Sequence, residues 1–136
     1  MVNSVSHQYK NYDLRNVKVY REKHNIDLLI INDSLDNKEE SFLIVVEFKV
    51  WAGETGDQLN KYIEVCKNHY PNLIDKAIFL YLTPFGSKPS NPDYKPLSYE
   101  VILDSFEPLK PDNDSVAISV EHYKKFIRRY ILQNDK

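Results

Sequence analysis

Three charged residues, Asp27, Glu47 and Lys49, interrupt two apolar segments that otherwise have the character of buried strands. The first segment covers residues 25–31 and the second covers residues 42–50, with a polar connection between them. A buried carboxylate is costly unless it is paired or binds a metal ion. Two neighbouring carboxylates also repel each other, and a divalent cation relieves that repulsion. Hard oxygen ligands suit Mg²⁺ or Mn²⁺.

The polar connection predicts how the three side chains meet. A hairpin folded near Asn37 places Asp27 directly opposite Glu47, with the two Cβ atoms close together on one face. Glu47 and Lys49 are two residues apart on one strand, so they share that face. A register shift of one residue would move Asp27 to the opposite face. The pattern therefore predicts two carboxylates and one ammonium at the sheet end away from the turn. A purely structural salt bridge of Lys49 is the alternative.

Composition indicates one globular domain spanning residues 1–136, with 42% apolar and 28% charged residues. No apolar run is long enough to span a membrane, and the N-terminus lacks a signal-peptide pattern, so we expect a cytoplasmic location. The single cysteine, Cys66, excludes an internal disulfide and a thiolate zinc site, and its place in a helical apolar stripe indicates a core residue. The histidines lack the spacing of a zinc hydrolase.

The net charge of −2 argues against a strong nonspecific nucleic-acid binder. Positive charge can nevertheless be local, because the last predicted helix carries Lys124, Lys125, Arg128 and Arg129. These four residues are candidates for nucleic-acid binding. A solvated helix face is an equally good interpretation of the same pattern.

Hydrophobic periodicity predicts an α/β fold. Four strands are expected at residues 17–21, 25–31, 42–51 and 76–83. A helix with an apolar stripe from Leu59 to Tyr70 joins the last two strands, which makes a β-α-β unit with parallel strands. Residues 84–96 contain five prolines or glycines and are expected to form a loop. Two more helices are expected, at residues 99–106 and 119–132. The predicted sheet is therefore mixed, an antiparallel meander plus a crossover, with helices on its faces.

These pieces together resemble the PD-(D/E)XK nuclease superfamily, which has the restriction-endonuclease-like fold. The resemblance is to the branch with a Gln-x-x-x-Tyr helix after the Glu-x-Lys strand, and it covers residues 17–131. It is carried by the order of the Asp27 strand, the segment from Glu47 to Lys49, and the helical pair Gln58 and Tyr62. The family's proline before the Asp is replaced by Ile26, and the family's N-terminal helix is expected to be short or missing.

The resemblance implies a divalent-metal-dependent nuclease that hydrolyses phosphodiester bonds of nucleic acid, with DNA as the expected substrate. Asp27 and Glu47 would bind Mg²⁺ or Mn²⁺, and Lys49 would assist the attacking water. Gln58 and Tyr62 would support the site, although Gln58 also fits a helix capping box and Tyr62 a core position. Glu22 is the candidate for an additional acidic residue.

Two further expectations stay open at this point. A symmetric homodimer is expected if both strands of a duplex are cut. A catalytically silent module of the same fold, which binds nucleic acid or a protein partner, is the alternative function. In that case Asp27, Glu47 and Lys49 would form a residual salt-bridge network.

Overall fold

The computed structural model describes residues 16–34, 38–50, 57–109 and 111–133. These residues form one five-stranded sheet with helices on both faces. The strands are β1 (Lys18–Arg21), β2 (Leu28–Asn32), β3 (Phe42–Phe48), β4 (Ala77–Thr83) and β5 (Tyr94–Ser98). The helices are α1 (Gln58–His69), α2 (Tyr99–Phe106) and α3 (Asp114–Phe126), and α3 continues into a π-helical turn, Ile127–Ile131. None of the described helices is both long and apolar enough to cross a membrane.

The strand order is sequential, from β1 at one edge to β5 at the other. β1, β2 and β3 pair as an antiparallel meander, whereas β3, β4 and β5 are mutually parallel. The mixed sheet and the parallel pair around α1 confirm the predicted fold class. The family's N-terminal helix, expected to be short or missing, would fall on residues 1–15, which lie outside the described part of the chain.

The described sheet has five strands where the sequence predicts about four, because the segment expected to be a loop ends in β5. This strand contains Pro96, which cannot donate a backbone hydrogen bond and argues against a strand. Among the described strands β5 lies at the edge of the sheet, with its ladder formed to β4, and an edge is where a strand tolerates proline. Ser98 then ends the strand and caps α2, since its Oγ accepts a hydrogen bond from the Val101 amide at 3.2 Å.

Each face of the sheet carries its own apolar core. One face of β3 presents Leu43 and Val45 to α1, and the other presents Ile44 and Val46 to the C-terminal helices. β3 is therefore buried on both faces, as its continuous apolar sequence predicts. Cys66 lies fully buried in the first core, and burial raises the pKa of its thiol to about 11. The interpretation of Cys66 as a core residue is confirmed.

The last helix begins earlier and faces differently than its sequence predicts. α3 begins after Asn113, whose side chain accepts hydrogen bonds from two amides of the first turn. The sequence predicts an apolar stripe of Tyr123, Phe126, Ile127, Tyr130 and Ile131, of which the two isoleucines are buried as predicted, whereas the three aromatic side chains are 41 to 53% exposed. The buried positions are Lys124, Ile127 and Ile131, which follow the same helical period on an adjacent face.

Candidate active site

The strand register brings Asp27 and Glu47 together at one end of the sheet. Leu28 pairs with Val46 in the antiparallel ladder, so the next pair outward is Asp27 with Glu47. This is the pairing that the hairpin midpoint predicts. The Oδ2 atom of Asp27 accepts a hydrogen bond of 2.8 Å from the backbone amide of Phe48, which anchors one carboxylate beside the other.

A strained turn delivers Asp27 to this position. Three non-glycine residues before it, Glu22, His24 and Asn25, have left-handed backbone angles, with φ between 56° and 65°. The sequence predicts a strand from Asn25, but this turn delays β2 until Leu28. The Glu22 amide closes the turn by donating to the Asp27 carbonyl at 3.3 Å. Such angles persist only where surrounding structure imposes them, and they are common at functional sites.

Glu47 is a buried carboxylate, and one of its two oxygens has no hydrogen-bond partner among the described residues. Its side chain is 2% exposed, and the oxygen in question is Oε2. Burial, and next the negative charge of Asp27, raise its pKa from 4.5 to about 7, while Lys49 acts in the opposite direction. Near neutral pH this carboxyl is therefore poised between its protonated and ionised forms.

Lys49 lies on the same face just beyond β3. Its Nζ atom is 3.4 Å from the Oε1 atom of Glu47, and its side chain is 17% exposed. The backbone amide of Lys49 donates to the carbonyl of Leu82 on β4 at 2.9 Å, which holds the residue in line with the strand. One Glu47 oxygen therefore faces an ammonium, and the other faces no partner among the residues described.

The first turn of α1 presents Gln58 and Tyr62 to the same region. The Nε2 atom of Gln58 donates to the Tyr62 hydroxyl at 2.7 Å. Burial, and next the charge of Glu47, raise the pKa of Tyr62, and Asp27 contributes in the same direction. Tyr62 is thus both a core residue, 6% exposed, and a neighbour of the acidic pair. The capping-box alternative for Gln58 involves Thr55, which lies outside the described residues.

The acidic pair has the chemistry of a divalent cation site. Two carboxylates lie together, one oxygen is buried without a protein partner among the described residues, and the carboxyl that bears it resists ionisation when no cation is present. A cation would satisfy that oxygen and offset both charges. Mg²⁺ commonly takes only one or two protein carboxylates and completes its shell with water and phosphate oxygens. Asp27 and Glu47 therefore fit such an ion.

Glu22 does not join this pair as a third ligand in the described structure. Its side chain is exposed, and no group of three His, Cys, Asp or Glu side chains among the described residues is arranged to hold a metal ion. His24, which lies within the same turn as Glu22, stacks on His69 at 4.0 Å and makes a hydrogen bond with Tyr70.

The basic residues of the last helix are only partly available. Lys124 is 6% exposed and its Nζ atom lies 3.0 Å from Glu121 and 3.6 Å from Glu107. Arg128 also pairs with Glu107, at 2.9 Å. Lys125 is exposed, as is Arg129. Of the four predicted nucleic-acid contacts, these two are thus the most accessible.

A cleft adjoins the site at the C-terminal ends of β3 and β4, and sequence reasoning missed it. It measures about 480 Å³ and begins at Lys49. The other lining residues lie just after β3, on β4, in the loop after β4, and at or just beyond the end of the π-helical turn. They are Val50, Tyr81, Thr83, Pro84, Phe85, Ser87, Ile131, Leu132 and Gln133. The signal available in the sequence was the long loop after β4, because such loops are often functional.

The site geometry and the mixed sheet agree with a comparison against known families. No curated protein and no solved structure gave a significant match. The model of the PD-(D/E)XK nuclease superfamily matches residues 1–132, which is nearly the whole chain. The chain therefore belongs to the PD-(D/E)XK nuclease superfamily.

Proposed function

We propose that this chain is a divalent-metal-dependent nuclease that hydrolyses phosphodiester bonds of DNA. The observation that carries the proposal is the buried Oε2 atom of Glu47 beside Asp27, which has no partner among the described residues. A structural salt bridge would be expected to use both oxygens of a buried carboxylate, because each unmet polar atom costs stability. An oxygen left without a partner is instead what a site built to receive a cation requires.

Asp27 and Glu47 are the residues that would hold Mg²⁺ or Mn²⁺. When bound, such a cation supplies Lewis-acid polarisation of the phosphate and a lowered pKa for a coordinated water. The Phe48 amide fixes one Asp27 oxygen, so that the carboxylate is oriented before the substrate arrives. Gln58 and Tyr62, which are joined by a hydrogen bond, are proposed to support the same side of the site, because the charge of Glu47 acts on the buried Tyr62.

Lys49 supplies the positive charge that the reaction needs near the attacking oxygen. Its ammonium is directed to the Glu47 carboxylate and also lines the cleft where a phosphate can enter. It would stabilise the negative charge that develops on the phosphate in the transition state. Lys125 and Arg129 are proposed to contact the nucleic-acid backbone farther from the reacting phosphate.

The test is a cleavage assay with single-stranded and duplex DNA and RNA in Mg²⁺, in Mn²⁺ and in EDTA. We expect cleavage in either metal, none in EDTA, and loss of activity in Glu47→Ala. The same metals should raise the melting temperature of the wild type, because binding to the folded state stabilises it. Glu47→Ala should abolish that shift and remain folded. Absence of both metal binding and cleavage would refute the proposal.

A silent module of the same fold is the second candidate function. The observation that favours it is the Lys49–Glu47 ion pair of 3.4 Å together with the exposed position of Glu22. In a silent module, the ammonium would neutralise Glu47 permanently and no cation would be required. Nucleic-acid binding that is unaffected by EDTA, without cleavage of any substrate, would support this alternative.

A further inference from the structure

The loop after β4 holds an aromatic side chain in solvent at the edge of the cleft. Phe85 is 68% exposed, the most exposed of the large apolar side chains among the described residues. It lines the same cleft as Lys49. Leaving most of a phenylalanine side chain in water forgoes the stabilisation that burial of its apolar surface would give. A single exposed apolar residue is common on protein surfaces, so its setting must decide its meaning.

The backbone around Phe85 is fixed on both sides. Phe85 forms a β-bridge with Ser98, and the Ser87 amide donates to the Thr83 Oγ1 atom at 2.7 Å. Gly86 has a φ of +76°, an angle that glycine adopts without strain and that turns the chain directly after the ring. The ring is therefore displayed by an ordered turn whose ends are tied to β4 and to the end of β5.

The cleft offers an ammonium and an aromatic face to the same ligand. Lys49 and Phe85 both line the cleft, together with two hydroxyl-bearing residues, Thr83 at the end of β4 and Ser87 in the loop that follows. The volume of about 480 Å³ is in the usual range for small organic ligands. A nucleotide has the matching parts, an anionic phosphate and a flat base. An exposed aromatic ring beside a cation is the common device for binding unpaired bases.

We propose that Phe85 stacks on an unpaired base next to the scissile phosphate, so that the preferred substrate is single-stranded DNA. The inference rests on the proposed nuclease function and adds the substrate form to it. Bases in the interior of a duplex already stack on both faces, so away from its ends a duplex presents no free face to Phe85 without unpairing. A single strand presents every base at no such cost.

The test measures the affinity of a fluorescein-labelled oligothymidylate of about 12 nucleotides, in Ca²⁺ so that binding is observed without appreciable turnover. Phe85→Ala should weaken binding by roughly 5- to 150-fold, and Phe85→Tyr should restore it. Wild type should bind the single strand more tightly than a blunt duplex, and Phe85→Ala should reduce that preference. Phe126→Ala is the matched control, since Phe126 is also exposed, at 47%, and lies outside the cleft.

A scan with one abasic nucleotide at each position identifies the stacked base. At one position the abasic site should weaken wild-type binding as much as Phe85→Ala does, and should have no further effect in that variant. Phe126→Ala should show no such coupling. A Phe85→Ala protein that cleaves and binds single strands like the wild type would overturn the inference while leaving the nuclease function intact. A wild type without metal-dependent cleavage would overturn the nuclease function itself.

Discussion

Two groups of buried or half-buried charged residues in this protein differ in whether their charged atoms have partners among the described residues. On the last helix, Lys124 is shielded from water but lies beside Glu107 and Glu121, and its hydrogen bond, and next its charge, lower the pKa of Glu121. At the sheet end, Glu47 is equally shielded, but one oxygen has no partner among the described residues and its pKa rises to about 7. The first arrangement is complete among the described residues, whereas the second leaves one buried oxygen without a hydrogen-bond partner among them.

The contrast distinguishes charged residues that stabilise the fold from charged residues that are candidates for function, and it does so from their contacts alone. A charged residue that serves the fold finds its partners within the fold, because an unmet buried charge is costly. The acidic pair accepts that cost next to a cleft, which is lined by Lys49, the ion-pair partner of Glu47. Perturbed carboxyls in a cleft are candidates for function for this reason.

The variant with the largest expected effect is Lys49→Ala, which tests whether the charges at the sheet end serve catalysis or only the fold. If Lys49 serves catalysis, cleavage should fall by roughly 10²- to 10³-fold, as when another stabiliser of transition-state charge is removed. Metal binding should persist or tighten, because an ammonium no longer competes for Glu47. Steady-state cleavage, metal titration and chemical unfolding on this variant provide the measurement. Full activity in a stable Lys49→Ala protein would remove the residue from the mechanism.

The second test uses the raised pKa of Glu47. The folded state favours the protonated carboxyl, whereas in the unfolded state the same group ionises at its ordinary pKa of 4.5. The folded protein is therefore most stable with respect to this group below about pH 4.5, and this stability is lost as the pH rises to about 7. In metal-free buffer this loss should approach roughly 3 kcal/mol of unfolding free energy above pH 8. Glu47→Gln should lack that loss.

A divalent metal ion should counteract the loss of unfolding free energy that occurs at rising pH in metal-free buffer. A cation binds the ionised carboxylate, so Mg²⁺ affinity should rise with pH through about 7 and then level off. Denaturant titrations at several pH values, with and without Mg²⁺, measure both effects. Identical pH profiles for the wild type and Glu47→Gln would show that Glu47 is already satisfied within the protein.

A smaller effect is expected where the charges are already paired. Lys124→Ala should lower the unfolding free energy by about 1–2 kcal/mol, chiefly because the packing of its aliphatic stem is removed. Lys124→Met should be close to neutral, because Glu107 and Glu121 are more than half exposed and can be hydrated. Neither variant should alter the cleavage rate. A loss of activity in Lys124→Met would place this region in the nucleic-acid interface after all.

The smallest effect is expected at the accessible cations of the last helix. Lys125→Ala should weaken DNA binding slightly and uniformly across sequences, and should make the slope of log affinity against log salt concentration shallower by about one. Binding isotherms at several salt concentrations measure this slope. Lys18→Ala, on the edge strand β1, is the matched control for an exposed lysine. Equal slopes for all three proteins would contradict phosphate binding by Lys125.

The placement of the acidic pair was predictable because it follows from local rules. The polar connection sets the midpoint of the hairpin, and the period of two then assigns Asp27, Glu47 and Lys49 to one face. Only a register shift could have changed that outcome, and the apolar residues on both faces of β3 oppose one. The anchoring of Asp27 by the Phe48 amide was not predictable, since it depends on the left-handed turn before the strand.

Other features could not be predicted because tertiary contacts decide them. Pro96 argues against a strand, yet an edge position beside β4 makes a strand feasible. On the last helix, periodicity alone offers two adjacent faces, and the sheet selects the one that contains Ile127 and Ile131. Lys124 is buried as a consequence, with its charge directed to the carboxylates of α3 and the preceding turn. The cleft beside Phe85 likewise exists only after distant segments have come together.

The proline of β5 has a consequence for how molecules of this protein can associate. An edge strand with a full set of free amides invites another chain to extend the sheet, which leads to aggregation or to strand-exchanged dimers. Pro96 removes one of those donors, and the exposed Lys95 beside it adds a charge that a neighbouring strand would have to accommodate. Growth of the sheet from this edge is therefore disfavoured. Among the described strands, the short strand β1 at the opposite edge is therefore the better candidate for pairing with another chain.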